Sequence, residues 1–294
     1  MSSGRSDNGT GAAALRIQLG AHLRRLRQSR EVSREAAGWE IRASESKISR
    51  MELGRVPVKE RDVADLLTFY GVGSEERAVL LSLARRARTT AWWRQFGDVV
   101  PPWLPSYLGL EEAASLIRAY EVHLVPGLLQ TDDYARAIIR REHAHAPDSE
   151  IDRRIELRRG RQQVLRRQDP ARLWAVMDEA VLRRQIGGPE VMRAQVEALI
   201  EAAALPHVRL QIVPFRADAH AAAGFPFAIL RFPDPTMPDV VYVEQLTSAL
   251  CLDKRGDVDR YALAMEQACL QAEPPDRTAG ILGRKLDEMA RSPG

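Results

Sequence analysis

The polar side chains best suited to recognising a ligand lie within one short stretch, residues 44–50. Arginine can donate two hydrogen bonds to the O6 and N7 atoms of guanine, so Arg50 is predicted to read a base pair. Glu45 can accept a hydrogen bond from the amino group of cytosine or, equally, repel a phosphate and so narrow the choice of site. Ser46 and Ser49 are short and are expected to contact bases directly or through water. This set predicts a surface that meets the base edges of double-stranded DNA.

Three neighbouring residues are predicted to hold the DNA backbone. Arg34, Ser44 and Lys47 can donate hydrogen bonds to phosphate oxygens, and such contacts fix the register of a protein on the duplex. Loss of a phosphate contact weakens binding to all sequences alike, whereas loss of a base contact relaxes the preference at one base pair. The two groups of residues therefore have separable expected effects.

A helix-turn-helix is the element that presents such side chains, and the residues between them match its requirements. Ser33 and Ser44 are predicted N-caps of the second and third helices, because a serine hydroxyl accepts a hydrogen bond from the first turn. The small and apolar residues that bring these two helices together are Ala37, Gly38, Ile41, Ile48 and Met51. The remaining positions of the third helix point outward at the end that enters the major groove.

This register resembles the phage-repressor-like (Xre-type) helix-turn-helix, whose usual text opens Thr-Gln-Glu-Glu-Leu-Ala and closes Ile-Ser-Arg-Ile-Glu-x-Gly. The opening here is Ser33-Arg34-Glu35-Ala36-Ala37-Gly38, and the close is Ile48-Ser49-Arg50-Met51-Glu52-Leu53-Gly54. In the family a glutamine that commonly bonds a DNA phosphate stands where this chain has Arg34. Arginine can make the same contact with a full charge, so the role implied by the resemblance is kept.

Periodicity predicts two kinds of structure along the chain. Five helices are expected, at about residues 15–29, from Ser33, from Ser44 to Gly54, 58–70, and 75–88 after an N-cap at Ser74. Further helices are predicted at about 110–120, 130–143, 149–168, 179–185, 189–204, 258–272 and 276–290. Strands are predicted at 173–177, 208–213, 227–232, 240–243 and 250–252. The fold class is therefore multidomain: an all-α five-helix domain, then an α+β domain with an antiparallel or mixed sheet.

Composition and charge divide the chain in the same way. Residues 1–90 hold 17 Lys and Arg against 11 Asp and Glu, whereas residues 91–294 hold 26 against 29. A basic N-terminal third favours a surface that faces phosphates. The predicted parts are a disordered tail (1–13), the DNA-binding domain (14–88), a Trp- and Pro-rich connector (89–107) and a regulatory or partner-binding domain (108–291). Neither a signal peptide nor a membrane span is predicted, which favours a cytoplasmic, nucleoid-associated protein.

Other residues that can do chemistry have simpler explanations in the sequence. His143 and His145 are expected to face solvent rather than bind a metal, because no third ligand is near. Asp178 is expected to cap a helix rather than form an acid/base pair with His220. The arginines of residues 153–167 alternate with acidic residues, which favours a salt-bridged surface helix over a second DNA contact. We therefore predict no catalytic residues, no cofactor, no metal and no enzymatic activity.

The resemblance extends over nearly the whole chain, from Leu15 to about Arg291. The segments that carry it are Trp92-Trp93, Pro102-Trp103-Leu104, Tyr120-Glu121, Val125-Pro126-Gly127-Leu128-Leu129-Gln130-Thr131, Asp178-Glu179-Ala180-Val181-Leu182-Arg183-Arg184 and Val213-Pro214-Phe215. They resemble one actinobacterial group that joins an Xre-type motif to a C-terminal domain of unknown function and includes WhiJ-like regulators. The resemblance implies a transcriptional regulator, often encoded beside a small partner protein in an antitoxin-like arrangement.

Two functions follow as expectations. The first is a sequence-specific transcriptional regulator that reads the major groove with a helix at about residues 44–53. It is expected to be a homodimer, because a palindromic site is read by two helices one turn of DNA apart. The second is an antitoxin-like module that sequesters a small protein encoded next door, with DNA autoregulation secondary. A helical bundle that binds only proteins is a further alternative, and a tightly bound metabolite would make the C-terminal domain a ligand sensor. An enzyme in that domain is disfavoured, because the sequence shows no convergent acid, base or nucleophile.

Overall fold

A computed structural model describes residues 10–87, 91–217, 224–235 and 237–291 of the 294-residue chain. The described residues form two compact units. The helical unit contains those up to Gly97, residues 101–114 and the described part of 232–237. The sheet unit contains residues 98–100 and the described parts of 115–231 and 238–294.

Six α-helices build the helical unit among its described residues. They are α1 (Thr10–Ser29), α2 (Arg34–Glu40), α3 (Glu45–Glu52), α4 (Glu60–Phe69), α5 (Ser74–Arg86) and α6 (Leu104–Ala113), with a short 3-10 helix at Trp92–Phe96. The five predicted N-terminal helices are confirmed, with two small corrections. The N-cap of α5 is Gly73 rather than Ser74. Residues 10–13, predicted to belong to a disordered tail, form the first turn of α1, and the rest of that tail lies outside the described residues.

The apolar faces of α1 to α5 meet in one core. Leu19 and Leu23 on α1 are buried, as their spacing predicts. They share this core with residues from the other helices: Ala37, Ile48, Met51, Val63, Leu66, Leu67, Tyr70 and Leu80. This burial supplies most of the stability of the short helices α2 and α3, because helices of seven or eight residues are marginal on their own.

The predicted helix at about 110–120 is wrong. Helix α6 begins earlier, at Leu104, and ends at Ala113, and the chain then forms the strand β1 (Leu116–Glu121). Apolar residues in this stretch fit a helix as well as a strand, but β1 hydrogen-bonds to a strand on each side, and this pairing decides its conformation. The predicted domain limits stay a prediction; by its contacts α6 packs against α1 in the helical unit.

The sheet unit is built on six strands in the order β3-β2-β1-β4-β5-β6. The other strands are β2 (Arg172–Asp178), β3 (Val208–Val213), β4 (Phe227–Arg231), β5 (Val240–Glu244) and β6 (Ala249–Leu252). Strands β1, β2 and β3 are parallel, while β4, β5 and β6 join by antiparallel pairing. The sheet is therefore mixed, and the predicted α+β class is confirmed.

Six further helices belong to the sheet unit. They are α7 (Asp132–Glu142), α8 (Asp148–Gln162), α9 (Ala180–Arg183), α10 (Pro189–Ala203), α11 (Arg255–Gln271) and α12 (Thr278–Arg291), with 3-10 turns at Gly127–Leu129, Gln163–Leu165 and Pro275–Arg277. Met265 and Ala268 of α11 pack on one face of the sheet against Tyr120, Val176 and Val241. Helix α12 packs against α10 and β3.

Three buried glutamines explain why residues 125–131 form a well-defined loop after β1. The side-chain amide of Gln130 donates to the carbonyl of Val125 at 2.7 Å. That of Gln195 donates to the carbonyl of Leu129 at 2.9 Å, and that of Gln162 to the main-chain carbonyl of Gln130 at 2.8 Å. Buried backbone carbonyls need such partners, so this phrase of the sequence has a structural role.

Candidate nucleic-acid interface

Local hydrogen bonds start both helices of the motif at the predicted residues. The Ser33 hydroxyl accepts a hydrogen bond from the backbone N–H of Ala36 at 3.0 Å, and that of Ser44 accepts from Lys47 at 3.2 Å. Both serines have extended backbone angles and the helical turn follows directly. The two predicted N-caps are confirmed, and they fix where α2 and α3 begin.

The turn between α2 and α3 is tight because Gly38 has no side chain. The backbone N–H of Ala43 bonds to the carbonyl of Gly38 at 2.8 Å. A Cβ atom on Gly38 would lie only 2.6 Å from the carbonyl oxygen of Ala43. The turn also places Arg42 at a φ of 53°, a left-handed conformation that is costly for a residue with a Cβ atom.

The inner face of α3 packs closely on the rest of the helical unit. Ile48 and Met51 are buried, as predicted. A Cβ atom on Gly20 of α1 would lie 2.4 Å from the main-chain oxygen of Glu52, so the backbones of α1 and α3 are in direct contact. Gly54, one residue beyond the C-cap Leu53, has a φ of 65° and also packs against α1. The orientation of α3 is therefore set by α1 as well as by α2.

The predicted base-reading residues lie on the other face of α3. Glu45, Ser46 and Arg50 are exposed, and Ser49 is half-buried. Among the described residues, the Arg50 guanidinium makes one hydrogen bond, from Nε to the main-chain oxygen of Ser46 at 3.3 Å. Arg50 is exposed, and this weak bond to its own helix engages one of the five guanidinium N–H donors. Their role on DNA stays a prediction.

The predicted phosphate-binding residues have different surroundings. Ser44 is exposed, although its hydroxyl is engaged as the N-cap. The Lys47 ammonium lies 2.7 Å from a carboxylate oxygen of Asp62, so a phosphate would share this lysine with an acidic neighbour. The Nε of Arg34 lies 3.5 Å from the Glu52 carboxylate, and its side chain is 31% exposed. The Arg34 side chain is thus held by Glu52 and still partly accessible to solvent.

A buried ion pair that the sequence analysis did not find joins α1 to α3. The Nε of Arg27 donates to one oxygen of Glu52 at 2.5 Å and Nη2 donates to the other at 3.1 Å. Its Nη1 donates to the carbonyl of Val32, just before α2. The hydrogen bond to Glu52 raises the pKa of Arg27, which keeps the guanidinium charged. One side-chain pair thereby connects the first three helices.

Glu52 also connects this buried pair to the candidate interface. Its carboxylate lies within ion-pair distance of both Arg27 and Arg34, and only 2% of its side chain is exposed. The only signal in the sequence for this role of Glu52 is that it belongs to the closing segment of the helix-turn-helix motif. Its partner lies 25 residues earlier and has no pattern that points to it.

Two of the other candidate features form local hydrogen bonds or ion pairs. The N-cap of α9 is Glu179 rather than the predicted Asp178, whose carboxylate accepts the N–H of Ala180 at 2.7 Å from one residue earlier, while His220 lies outside the described residues. On α8, ion pairs join the arginines to acidic neighbours: Arg153 to Asp98, Arg154 to Glu150 and Arg159 to Asp132. Within the part of the chain that the structure describes, no cluster of three metal-ligating residues occurs and no helix is long and apolar enough to cross a membrane.

Two family models match the chain. One, described as a helix-turn-helix domain (HTH_31), covers residues 18–80 and so includes α2 and α3. The other, described as a domain of unknown function (DUF5753), covers residues 104–284. No curated protein and no solved structure matches the chain.

Proposed function

Since the chain belongs to the DUF5753 family and carries a helix-turn-helix domain, we propose that it is a sequence-specific DNA-binding transcriptional regulator of the Xre type. The observation that supports this most directly is the outward face of α3. Glu45, Ser46 and Arg50 are exposed there, on a helix whose other face is fixed by the core. Such a helix can enter the major groove without rearrangement of the domain.

The surroundings of α3 also suit a DNA backbone. Arg34 at the start of α2 and Lys47 in α3 flank the exposed face, and Arg42 in the turn between these helices is exposed. Cations on both sides of a recognition helix hold phosphates and set the register of base contacts. We propose that Glu52 keeps Arg34 oriented for this contact, because its carboxylate is itself fixed by Arg27.

We further propose that the chain forms a homodimer on a palindromic site and that it associates with the nucleoid in the cytoplasm. A half-site of a few base pairs gives too little specificity for a genome, and two subunits double the number of base pairs that are read. The C-terminal domain is proposed to have a regulatory rather than an enzymatic role.

In vitro selection from random duplex DNA tests the function. The purified full chain should enrich one palindromic sequence and bind it at least about a thousandfold more tightly than random DNA at the same salt concentration. The matched control is the variant R50A, which should lose discrimination at one base pair per half-site. Enrichment of no sequence, with equal affinity for all duplexes, would contradict the proposal. Sedimentation of the complex checks for two chains per site.

A second candidate, the antitoxin-like protein-binding module, is favoured by the apolar edge of the sheet unit. Strand β6 is an edge strand, Leu250 on it is 47% exposed, and Leu246 in the preceding turn is 96% exposed. An edge strand with apolar side chains can bind an extended segment of another protein. Co-expression with the product of a neighbouring small gene tests this. The two proteins should co-purify with the wild-type chain and not with the double variant L246S/L250S.

A further inference from the structure

A crevice of about 240 Å³ opens in the sheet unit at the carboxyl ends of two parallel strands. Strands β2 and β3 end in register at Asp178 and Val213, and the residues that follow them, Glu179 and Pro214, line the crevice. Helix α12 forms the opposite wall. In open sheets with helices on their faces, small molecules usually bind outside the carboxyl ends of the parallel strands.

The bottom and the rim of this crevice differ in chemistry. The apolar lining residues are Leu182, Ile212, Pro214 and Ile281, of which Leu182 and Ile212 are buried. Charged side chains line the rest. A ligand that fits would place an apolar body on the buried leucine and isoleucine and keep a polar group at the rim.

Most charges of the rim are already paired. Arg183 lies 2.8 Å from Glu179 and 3.5 Å from Glu288, and Lys285 also lies 3.5 Å from Glu288. Hydrogen bonds from Arg183 and from the N–H of Phe215 outweigh the effect of burial and lower the pKa of Glu179, so this carboxylate stays charged.

The remaining lining charges leave one cation in excess. Arg216 is paired with Glu273, so four basic residues of the lining face three carboxylates. Arg284 is the lining cation with no acidic side chain within 4 Å among the described residues. One excess positive charge in the lining matches a singly charged carboxylate better than a multiply charged phosphate. A guanidinium can donate two parallel hydrogen bonds to such a carboxylate.

We infer that this crevice binds a small organic monocarboxylate, with its apolar part on Leu182 and Ile212 and its carboxylate on Arg284. The volume sets the size of the ligand: at about 30 Å³ for each water-sized group, it holds about eight non-hydrogen atoms. A six-carbon carboxylate has this size. Such a site gives the domain of unknown function a ligand to respond to, and it does not require that the chain bind DNA.

Calorimetric titration of the full chain with hexanoate, without DNA, tests the inference. A ligand of about eight non-hydrogen atoms is expected to bind with a Kd in the millimolar range. The variant R284Q should bind at least about tenfold more weakly, since it loses a charge-assisted hydrogen bond, and R284K should retain part of the affinity. The matched control, R291Q, removes an exposed arginine at the end of the same helix and should bind like the wild type.

Hexanamide provides a test on the wild-type chain that does not depend on the folding of a variant. Because it has the same length and no charge, it should bind at least about tenfold more weakly than hexanoate. Absence of saturable hexanoate binding, equal binding by R284Q, or equal binding of hexanamide would each overturn the inference. Because the titration contains no DNA, its result is separate from that of the DNA selection.

Discussion

The buried pair of Arg27 and Glu52 is expected to control both the stability of the helical unit and the position of its candidate interface. Replacing Glu52 with methionine leaves the Arg27 guanidinium without its carboxylate. Only 9% of the Arg27 side chain and 2% of the Glu52 side chain are exposed, so water cannot replace the lost partner. The guanidinium also loses two hydrogen bonds, at 2.5 and 3.1 Å.

Removal of one partner from a buried ion pair typically destabilises a protein by about 3–5 kcal/mol, and we expect E52M to fall in this range. Replacing both residues by methionine removes the uncompensated charge as well. Such double replacements are often neutral or stabilising, so R27M/E52M should recover most of the lost stability. The exposed pair of Arg61 and Asp65 is the control, and R61A should change the stability by less than about 0.5 kcal/mol.

Native-state hydrogen exchange measures these changes in stability in the full chain, because peptides from α1 and α3 report on the helical unit alone. E52M should lower the protection of both helices, and R27M/E52M should restore it. The double variant should nevertheless bind DNA more weakly than the wild type, since Arg34 has lost its anchor. Protection in E52M within about 1 kcal/mol of the wild type, or no recovery in the double variant, would refute this reasoning.

Three other perturbations have defined outcomes. In competition binding, R50A should lose about 1–3 kcal/mol of discrimination at one base pair. K47A should weaken binding to all duplexes alike and reduce the slope of log affinity against log salt concentration by about one. Identical losses for the two variants would contradict the assigned roles. R42G should stabilise the helical unit by up to about 1 kcal/mol in thermal unfolding, since glycine tolerates the φ of 53°, and a lower Tm would count against this. Burial, with a contribution from Glu244, raises the pKa of Glu121 to about 8 from its ordinary value of 4.5. The native state therefore holds a proton that the unfolded chain releases, so the sheet unit should lose stability as pH rises from 4.5 to about 8. Urea unfolding at several pH values measures this dependence, and E121Q should flatten it.

The elements that the sequence predicts well carry local signals. Ser33 and Ser44 cap their helices through hydrogen bonds that span three residues, and Gly38 is needed by contacts within the same motif. Such signals are complete within one short window of sequence, so the helix-turn-helix and its exposed face could be derived without coordinates.

The features that the sequence does not predict depend on partners far along the chain. Strand β1 has apolar residues that also fit a helix, and its pairing with β2 and β4 decides between them. The pair of Arg27 and Glu52 spans 25 residues, and the crevice at Arg284 needs β2, β3 and α12 together. The left-handed backbone of Arg42 is set by the turn, because arginine has no preference for that conformation.

Methylation interference on the selected DNA site tests the central claim most directly, because dimethyl sulfate modifies N7 of guanine in the major groove. Methylation of at least one guanine in each half-site should prevent binding of the wild-type chain. The variant R50A should be insensitive to methylation of that guanine, since the arginine that contacts N7 is missing. Binding that no guanine methylation disturbs, or an identical interference pattern for R50A, would show that Arg50 on α3 does not read bases in the major groove.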